Sequence, residues 1–238
     1  MSVYHWLLLA SIAFCFSACL CWFLKIIKPV KDFSDAKGSI SDGVIYSNTV
    51  AMLPHHKESA FLHLPTYIGG IIFHIGILVS ILFIILQLIF PEFWYSAALG
   101  ENYSLDIGIL EYRHKFHQWD YIDWLRLIFG IGLVISALCG LAILIKRFVN
   151  KELKQLSNLD DFISNILVTI FLSASAFAML MPYNALSKPL VFVVATVLFF
   201  YMPFGKLRHF LYYFGARYQL GVFYGKRGVW SMKNKKTF

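Results

Sequence analysis

Five long runs of apolar residues divide the sequence, and polar connections separate them. The runs cover residues 6–27, 67–90, 124–145, 162–181 and 189 to about 209. A helix of roughly 20 residues crosses a hydrocarbon layer of about 30 Å, so each run is long enough for one crossing. The runs lack the alternation of apolar and polar residues that marks a membrane β-strand. The pattern therefore predicts an all-α integral membrane bundle of five transmembrane helices.

The composition agrees with a membrane protein. Of the 238 residues, 59% are hydrophobic and 14% are charged, whereas soluble domains have about 45–50% apolar and about 25% charged residues. The mean hydropathy is +0.67. Four cysteines are too few for a disulfide scaffold, and the sequence contains no nucleotide-binding glycine loop or nucleophile motif. A soluble enzyme is therefore excluded, and we assign no catalysis to this chain by itself.

The basic residues predict the orientation. No basic residue precedes the first run, so it is expected to remain as a helix and not to be a cleaved signal. Lysine and arginine collect on the first and third connections and on the C-terminal tail. Only four lie on or near the opposite side: Arg113, Lys115, Arg126 and Lys188. The positive-inside rule then predicts an N-terminus outside and a cytoplasmic C-terminus in the inner (cytoplasmic) membrane. Residues 1–227 form the predicted membrane domain, and residues 228–238 a basic cytoplasmic tail.

Three polar segments offer contact surfaces. The connection 29–66 is long enough to contact a cytoplasmic partner. The outer segment 111–123 mixes aromatic and charged residues, as expected for a helix in the membrane interface that anchors the third span. The tail after Pro203 mixes basic and aromatic residues, and either anionic lipid headgroups or an acidic partner would suit it.

Histidine supplies the remaining chemistry at membrane depth. No Asp, Glu, Lys or Arg lies in the middle of a run, which disfavours a pump or a cation channel. His74 lies about 10 Å inside the inner end of the second run, and His209 lies near the inner end of the fifth. Two histidines at similar depth on antiparallel helices can ligate one haem iron from opposite faces. The spacing leaves an alternative open, in which His74 is a hydrogen-bonded packing residue and His209 a neighbour of Arg208 at the interface.

The other histidines and the cysteines give weaker indications. The connections contain His55, His56, His63, His114 and His117. We expect the first three in loops, with metal binding at His55 and His56 the weaker interpretation. The last two are weaker candidates for an outer quinone pocket or a proton path. Cys15, Cys19, Cys21 and Cys139 lack the spacing of iron–sulfur ligands, so we interpret them as apolar packing residues.

Three parts of the sequence resemble one known family. They are residues 72–78 (Ile-Phe-His-Ile-Gly-Ile-Leu), residues 146–150 with 156–160 (Lys-Arg-Phe-Val-Asn and Leu-Ser-Asn-Leu-Asp), and residues 202–209 (Met-Pro-Phe-Gly-Lys-Leu-Arg-His) with 216–220 (Ala-Arg-Tyr-Gln-Leu). These segments resemble the gamma subunit of respiratory nitrate reductase and its relatives, the membrane cytochrome b subunits of heterodisulfide-reductase-like, sulfite-reduction-associated and Tmc-type redox complexes. The resemblance covers roughly residues 6–227.

The resemblance implies a haem site. It implies that His74 and His209 are the axial ligands of one b-type haem near the cytoplasmic side. Members with two haems carry a second histidine ten residues after the first of these ligands and another eighteen residues before the second, where this chain has Ile84 and Val191. The chain is therefore expected to keep the inner haem and to lack the outer one.

The combined interpretation is a haem b-binding electron-transfer subunit of a respiratory-chain oxidoreductase complex. It would pass electrons between membrane quinone, either menaquinone or ubiquinone, and cytoplasmic iron–sulfur and catalytic subunits; nucleic acid is not an expected partner. Lys206, Arg208 and Arg217 are candidates to pair with the haem propionates. Without an outer haem, quinone is expected close to His74. The rival interpretation is a haem-free membrane anchor whose partner faces quinone directly, and a small transporter has less support.

Overall fold

The computed structural model describes residues 3–26, 38–52, 63–90, 121–182 and 184–230. Helices make up 88% of the structure, and none of the described residues lies in a strand. The predicted all-α fold is confirmed. Most of the predicted interface helix 111–123 lies outside the described residues, and so do residues 231–238 of the predicted tail.

The described residues form eight α-helices: α1 Val3–Ile26, α2 Ile40–Asn48, α3 Leu64–Ile89, α4 Tyr121–Val149, α5 Lys151–Leu156, α6 Leu159–Leu180, α7 Ser187–Tyr201 and α8 His209–Lys226. Four of them, α1, α3, α4 and α6, are long and apolar enough to cross a membrane. Many of their large apolar side chains are exposed, for example Leu78 at 68% and Leu138 at 58%. Apolar surface of this kind suits a lipid solvent, which supports a multi-pass membrane protein.

Each of these four helices begins three residues before the predicted apolar run. The added turn is polar or interfacial, and α6 shows why it is helical. The backbone N–H of Asn158 donates to the carboxylate of Asp161 at 3.0 Å, so a side chain in the first turn satisfies a group at the helix start. Apolar run lengths therefore locate the hydrocarbon part of a helix but not its capped end.

The fifth predicted span, residues 189–209, is divided in the structure. Helix α7 ends at Tyr201, a short 3₁₀ turn follows at Lys206–Arg208, and the chain bends by 73° between α7 and α8. Pro203 lies in the break, where it has no N–H to continue the helix. The α7–α8 pair is either one broken span or a re-entrant segment, so the described chain has four or five candidate spans by length and composition.

The chain divides into two compact units. The first unit comprises Met1–Leu9 and Ile68–Leu198, and the second comprises Ala10–Tyr67 and Phe199–Phe238. In the first unit, α4 packs against α6. The guanidinium of Arg147 at the end of α4 lies 3.2 Å from the carboxylate of Asp161, which is buried. This ion pair joins the basic end of α4 to the acidic start of α6.

In the second unit, α2 and α8 approach closely through glycines. A Cβ atom on Gly221 would lie 2.6 Å from the Cα of Val44 and 2.9 Å from the carbonyl oxygen of Gly43. A Cβ on Gly43 would meet the backbone of Gly221 and Gly225 in the same way. The contact is therefore between two bare backbones, and no flexible side chain is available to move aside.

We predict that Gly221→Ala destabilises the packing of α2 on α8. Overpacking of a tight contact lowers the free energy of unfolding by about 1–3 kcal/mol. Because the neighbouring atoms here are rigid backbone, we expect a loss towards the upper end of that range. Thermal unfolding of the purified chain in detergent should shift down by a few degrees. Gly132→Ala is the matched control, because a Cβ there would meet no described atom within 4 Å. An unchanged midpoint for Gly221→Ala would contradict the close contact.

Candidate functional site

His74 projects from an exposed face of α3. Contacts with α4 fix how α3 is rotated about its own axis. The Phe73 side chain is buried against α4, and its ring lies so close to Gly140 that a Cβ there would touch it. The hydroxyl of Ser136 in α4 donates a hydrogen bond to the carbonyl of Ile72 at 3.1 Å. With Phe73 and Gly76 turned towards α4, the imidazole lies on another side of α3.

The His74 imidazole is oriented by its own helix. Its Nδ1 lies 2.7 Å from the carbonyl oxygen of Gly70, one turn earlier. A carbonyl can only accept a hydrogen bond, so Nδ1 carries a proton and donates it to Gly70, and Nε2 lies on the side of the ring away from that carbonyl. The bond is possible because a helical side chain leans towards the N-terminus and reaches the preceding turn.

His209 has the same local arrangement in a different setting. It is the first residue of α8, it is exposed, and its Nδ1 lies 2.9 Å from the carbonyl oxygen of Lys206 in the preceding 3₁₀ turn. The break at Pro203 thus begins a new helix with an imidazole at its start. Both candidate histidines hold Nδ1 against a backbone carbonyl, and an Nδ1–carbonyl hydrogen bond is the arrangement that orients histidine as a metal ligand through Nε2.

The two histidines belong to different units, His74 to the first and His209 to the second. Within the described residues, no group of three or more His, Cys, Asp or Glu side chains is arranged to hold a metal ion. Bis-imidazole ligation of haem iron uses only two protein ligands, so it does not require such a group. The shared haem ligation stays a prediction.

The surface of α3 beside His74 has little side-chain cover. A Cβ built on Gly69 or on Gly70 would meet no described atom within 4 Å. Glycines at such positions let a flat ligand approach the backbone. The apolar residues Ile71, Ile75 and Leu78 are exposed on the same helix. The surroundings of His74 are therefore open and apolar, which suits a planar, largely hydrophobic group.

The three cations predicted to pair with haem propionates all lie in the second unit with His209. The Arg208 guanidinium lies 5.1 Å from the ring centre of Trp22 and 5.7 Å from that of Tyr212. Arg217 donates to the carbonyl of Ala51 at 3.2 Å, and Lys206 is exposed. Cation–π contacts restrict the Arg208 side chain but leave its charge available to an anion. The sequence did not reveal Trp22 as a stacking partner, because the two residues are distant along the chain.

The two positions at which the resemblance would place ligands of a second haem are part of the core. Ile84 is 0% exposed and Val191 is 1% exposed, and both lie in the first unit. Both side chains thus pack in the apolar interior of the first unit. His63 lies in the turn before α3, in line with its predicted loop position, whereas His55, His56, His114 and His117 lie outside the described residues.

A polar group that the sequence did not indicate lies at the other end of α3. Gln87, Arg126 and Lys188 line one small cavity together with apolar residues of α3, α6 and α7. Gln87 and Arg126 are 4% and 3% exposed, and among the described residues the Gln87 Oε1 atom has no hydrogen-bond partner. On the sequence alone, Arg126 and Lys188 are charges on or near the outer side. The burial of Arg126 and the half-burial of Lys188 depend on the packing of several helices, so the sequence does not show them.

Comparison of the chain with protein-family models, with curated proteins and with solved structures returns no match. The resemblance to the membrane cytochrome b family therefore rests on the quoted segments alone. The functional conclusion consequently depends on the chemistry of the two histidines and their surroundings.

Proposed function

We propose that the chain is a haem b-binding membrane subunit of a redox complex, with His74 and His209 as the axial ligands of a single haem. In this role it passes electrons between membrane quinone and cytoplasmic iron–sulfur subunits. The observation that carries the proposal is the shared geometry of the two exposed imidazoles, each held through Nδ1 by a backbone carbonyl at 2.7 Å and 2.9 Å. That geometry supports iron ligation through Nε2 at both residues.

The packing alternative for His74 has less support. A histidine that only packs would be buried among side chains, whereas His74 is exposed on an apolar membrane helix. A polar ring facing hydrocarbon is costly. A cofactor that ligates the ring and covers the open Gly69–Gly70 surface would remove that cost, and a haem has the flat apolar shape for this surface.

The two imidazole ligands determine which haem chemistry the proposed site would favour. A bound haem would supply one-electron transfer, and ligation by both imidazoles would favour electron transfer over oxygen binding. The chain's own residues orient and place the group. Gly70 and Lys206 fix the imidazole tautomers through their carbonyls, and Lys206, Arg208 and Arg217 supply positive charge for the propionates.

The orientation belongs to the same proposal. The basic ends of α1 and α4, together with the cationic α8, lie on the cytoplasmic side of the inner membrane, and the N-terminus lies outside. His74 and His209 are then near the cytoplasmic face, where iron–sulfur subunits of the complex would dock. Electrons would pass over a short distance from quinone near His74 to these partners.

We predict that the purified chain shows b-type Soret and alpha bands after dithionite reduction, with one haem per chain. His74→Ala and His209→Ala should each abolish the bands while the protein still inserts, because each removes one axial ligand. His63→Ala is the matched control and should keep the spectrum, since His63 lies in the turn before α3.

A second variant separates haem loss from misfolding. Gly70→Leu places a bulky side chain on the open surface beside His74, and leucine also favours helix over glycine. It should reduce haem content, whereas Gly132→Leu, at an equally open position of α4, should not. A colourless wild-type protein, or bands that persist in both histidine variants, would favour the rival haem-free membrane anchor.

We predict that quinone binds near His74 and not at the outer rim. The open apolar surface of α3 around Gly69 and Gly70 suits a planar ring, and no outer haem is expected to serve an outer site. An azidoquinone that is activated by light should crosslink to the protein and label the peptide that contains His74. Labelling confined to the segment with Glu111, His114 and His117 would refute this placement.

We predict an N-out, C-in topology. A green fluorescent protein fused after Phe238 should fluoresce, and an epitope placed before Met1 should be cut by protease added to spheroplasts. The reverse pattern, with a protected N-terminal epitope and a dark C-terminal fusion, would exclude the proposed sidedness. It would also place His74 and His209 away from cytoplasmic partners.

A further inference from the structure

Three sulfur atoms lie together in the second unit. The Cys15 Sγ is 3.9 Å from the Cys19 Sγ and 3.6 Å from the Met202 Sδ. Cys15 and Cys19 are 6% and 7% exposed, so the two thiols lie inside the protein, and Met202 is half-buried. We propose that this sulfur cluster, formed by Cys15, Cys19 and Met202, binds one Cu(I) ion.

The chain brings the three side chains together in two ways. Cys15 and Cys19 are one turn apart on α1, so they share a helix face. Met202 directly follows the end of α7, and the buried Pro203 after it stops the helix there. Phe14 of α1 stacks on Phe200 with ring centres 5.1 Å apart, which holds α1 against this break.

The spacing of the sulfurs suits a shared ion. Metal–sulfur bonds are about 2.3 Å long, as in zinc thiolates, so two sulfurs that bind one ion at trigonal or tetrahedral angles are roughly 3.8–4.0 Å apart. The observed separations of 3.9 Å and 3.6 Å are close to this range. The two separations thus suit an ion that Cys15 shares with Cys19 and with Met202. Apolar packing explains the burial of the two thiols, but it does not require the Cys15 Sγ to adjoin both other sulfurs.

The donor set selects the metal. Thiolate and thioether are soft ligands, and the thioether of Met202 favours Cu(I) over harder divalent ions. Structural zinc uses four Cys, His or carboxylate ligands, and iron–sulfur clusters use four thiolates. Among the described residues, no third His, Cys, Asp or Glu joins Cys15 and Cys19 to form such a group.

Binding is an exchange without electron transfer. Each copper–thiolate bond replaces one S–H bond and releases one proton, while the Met202 thioether donates a lone pair and loses nothing. Copper enters and remains as Cu(I). The site does not include His74 or His209, so it stands or fails independently of the proposed haem.

The full chain, purified in detergent under anaerobic conditions, tests the site by competition for Cu(I) against the chromophoric ligand bicinchoninate. We expect one Cu(I) per chain and an X-ray absorption spectrum with a sulfur-only first shell. Cys15→Ser removes a direct ligand and should weaken affinity by more than the roughly 10–100-fold typical of an outer-shell change. Met202→Leu keeps an apolar side chain of similar volume and should also weaken binding, which a packing role would not predict.

The other two cysteines are matched controls. Cys21 is an exposed thiol two residues beyond Cys19 on α1, and Cys139 lies in the first unit. Cys21→Ser and Cys139→Ser should therefore retain wild-type affinity. If Cys15→Ser fails to fold by circular dichroism, Met202→Leu decides the question. Equal Cu(I) affinity in wild type and Met202→Leu, or a loss of binding in Cys21→Ser, would overturn the proposed site.

Discussion

Hydrocarbon offers no hydrogen-bond partners, and this constraint governs the whole chain. Every backbone group in a span must be satisfied within the protein, so the apolar runs become helices. Several polar side chains in the spans follow the same rule: the hydroxyls of Ser17, Ser136 and Thr196 each donate to the carbonyl one turn earlier, at 2.8–2.9 Å. His74 obeys it too, through the carbonyl of Gly70. The need to satisfy polar groups within the protein thus favours the helices and also orients the imidazole of His74.

The same constraint explains which parts of the fold were predictable. Run length locates four spans, because the length of an apolar helix follows the thickness of the bilayer. It misses the break after Tyr201, since one proline barely changes the average apolarity of a run although it ends the helix. The contact of α2 with α8 was not predictable either. It depends on Gly43 meeting Gly221, which are far apart in the sequence and carry no local signal of their partnership.

In the candidate site, too, local features were predictable from the sequence and tertiary contacts were not. The i−4 hydrogen bond of His74 follows from its helix, and the spacing of Gly70 and His74 contains that information. The stacking of Arg208 on Trp22 and the burial of Gln87 beside Arg126 depend on tertiary packing, so pattern reasoning could not supply them. For Ile84 and Val191 the sequence was sufficient by itself. Their apolar character alone excluded iron ligation, and the structure adds that they pack inside the first unit.

Glycine has two opposite uses in this chain, and the difference bears on function. At Gly43 and Gly221 a missing side chain lets two helices touch, which is the common reason for small residues in membrane proteins. At Gly69 and Gly70 no described atom would meet an added Cβ, so contact between helices does not explain them. Helix propensity does not explain them either, because glycine weakens a helix by about 1 kcal/mol relative to alanine. Gly132 of α4 is equally open, so an open glycine by itself does not indicate a ligand. The haem proposal combines the open Gly69–Gly70 surface with an exposed imidazole one turn later, and it depends on the glycines as well as on the histidines.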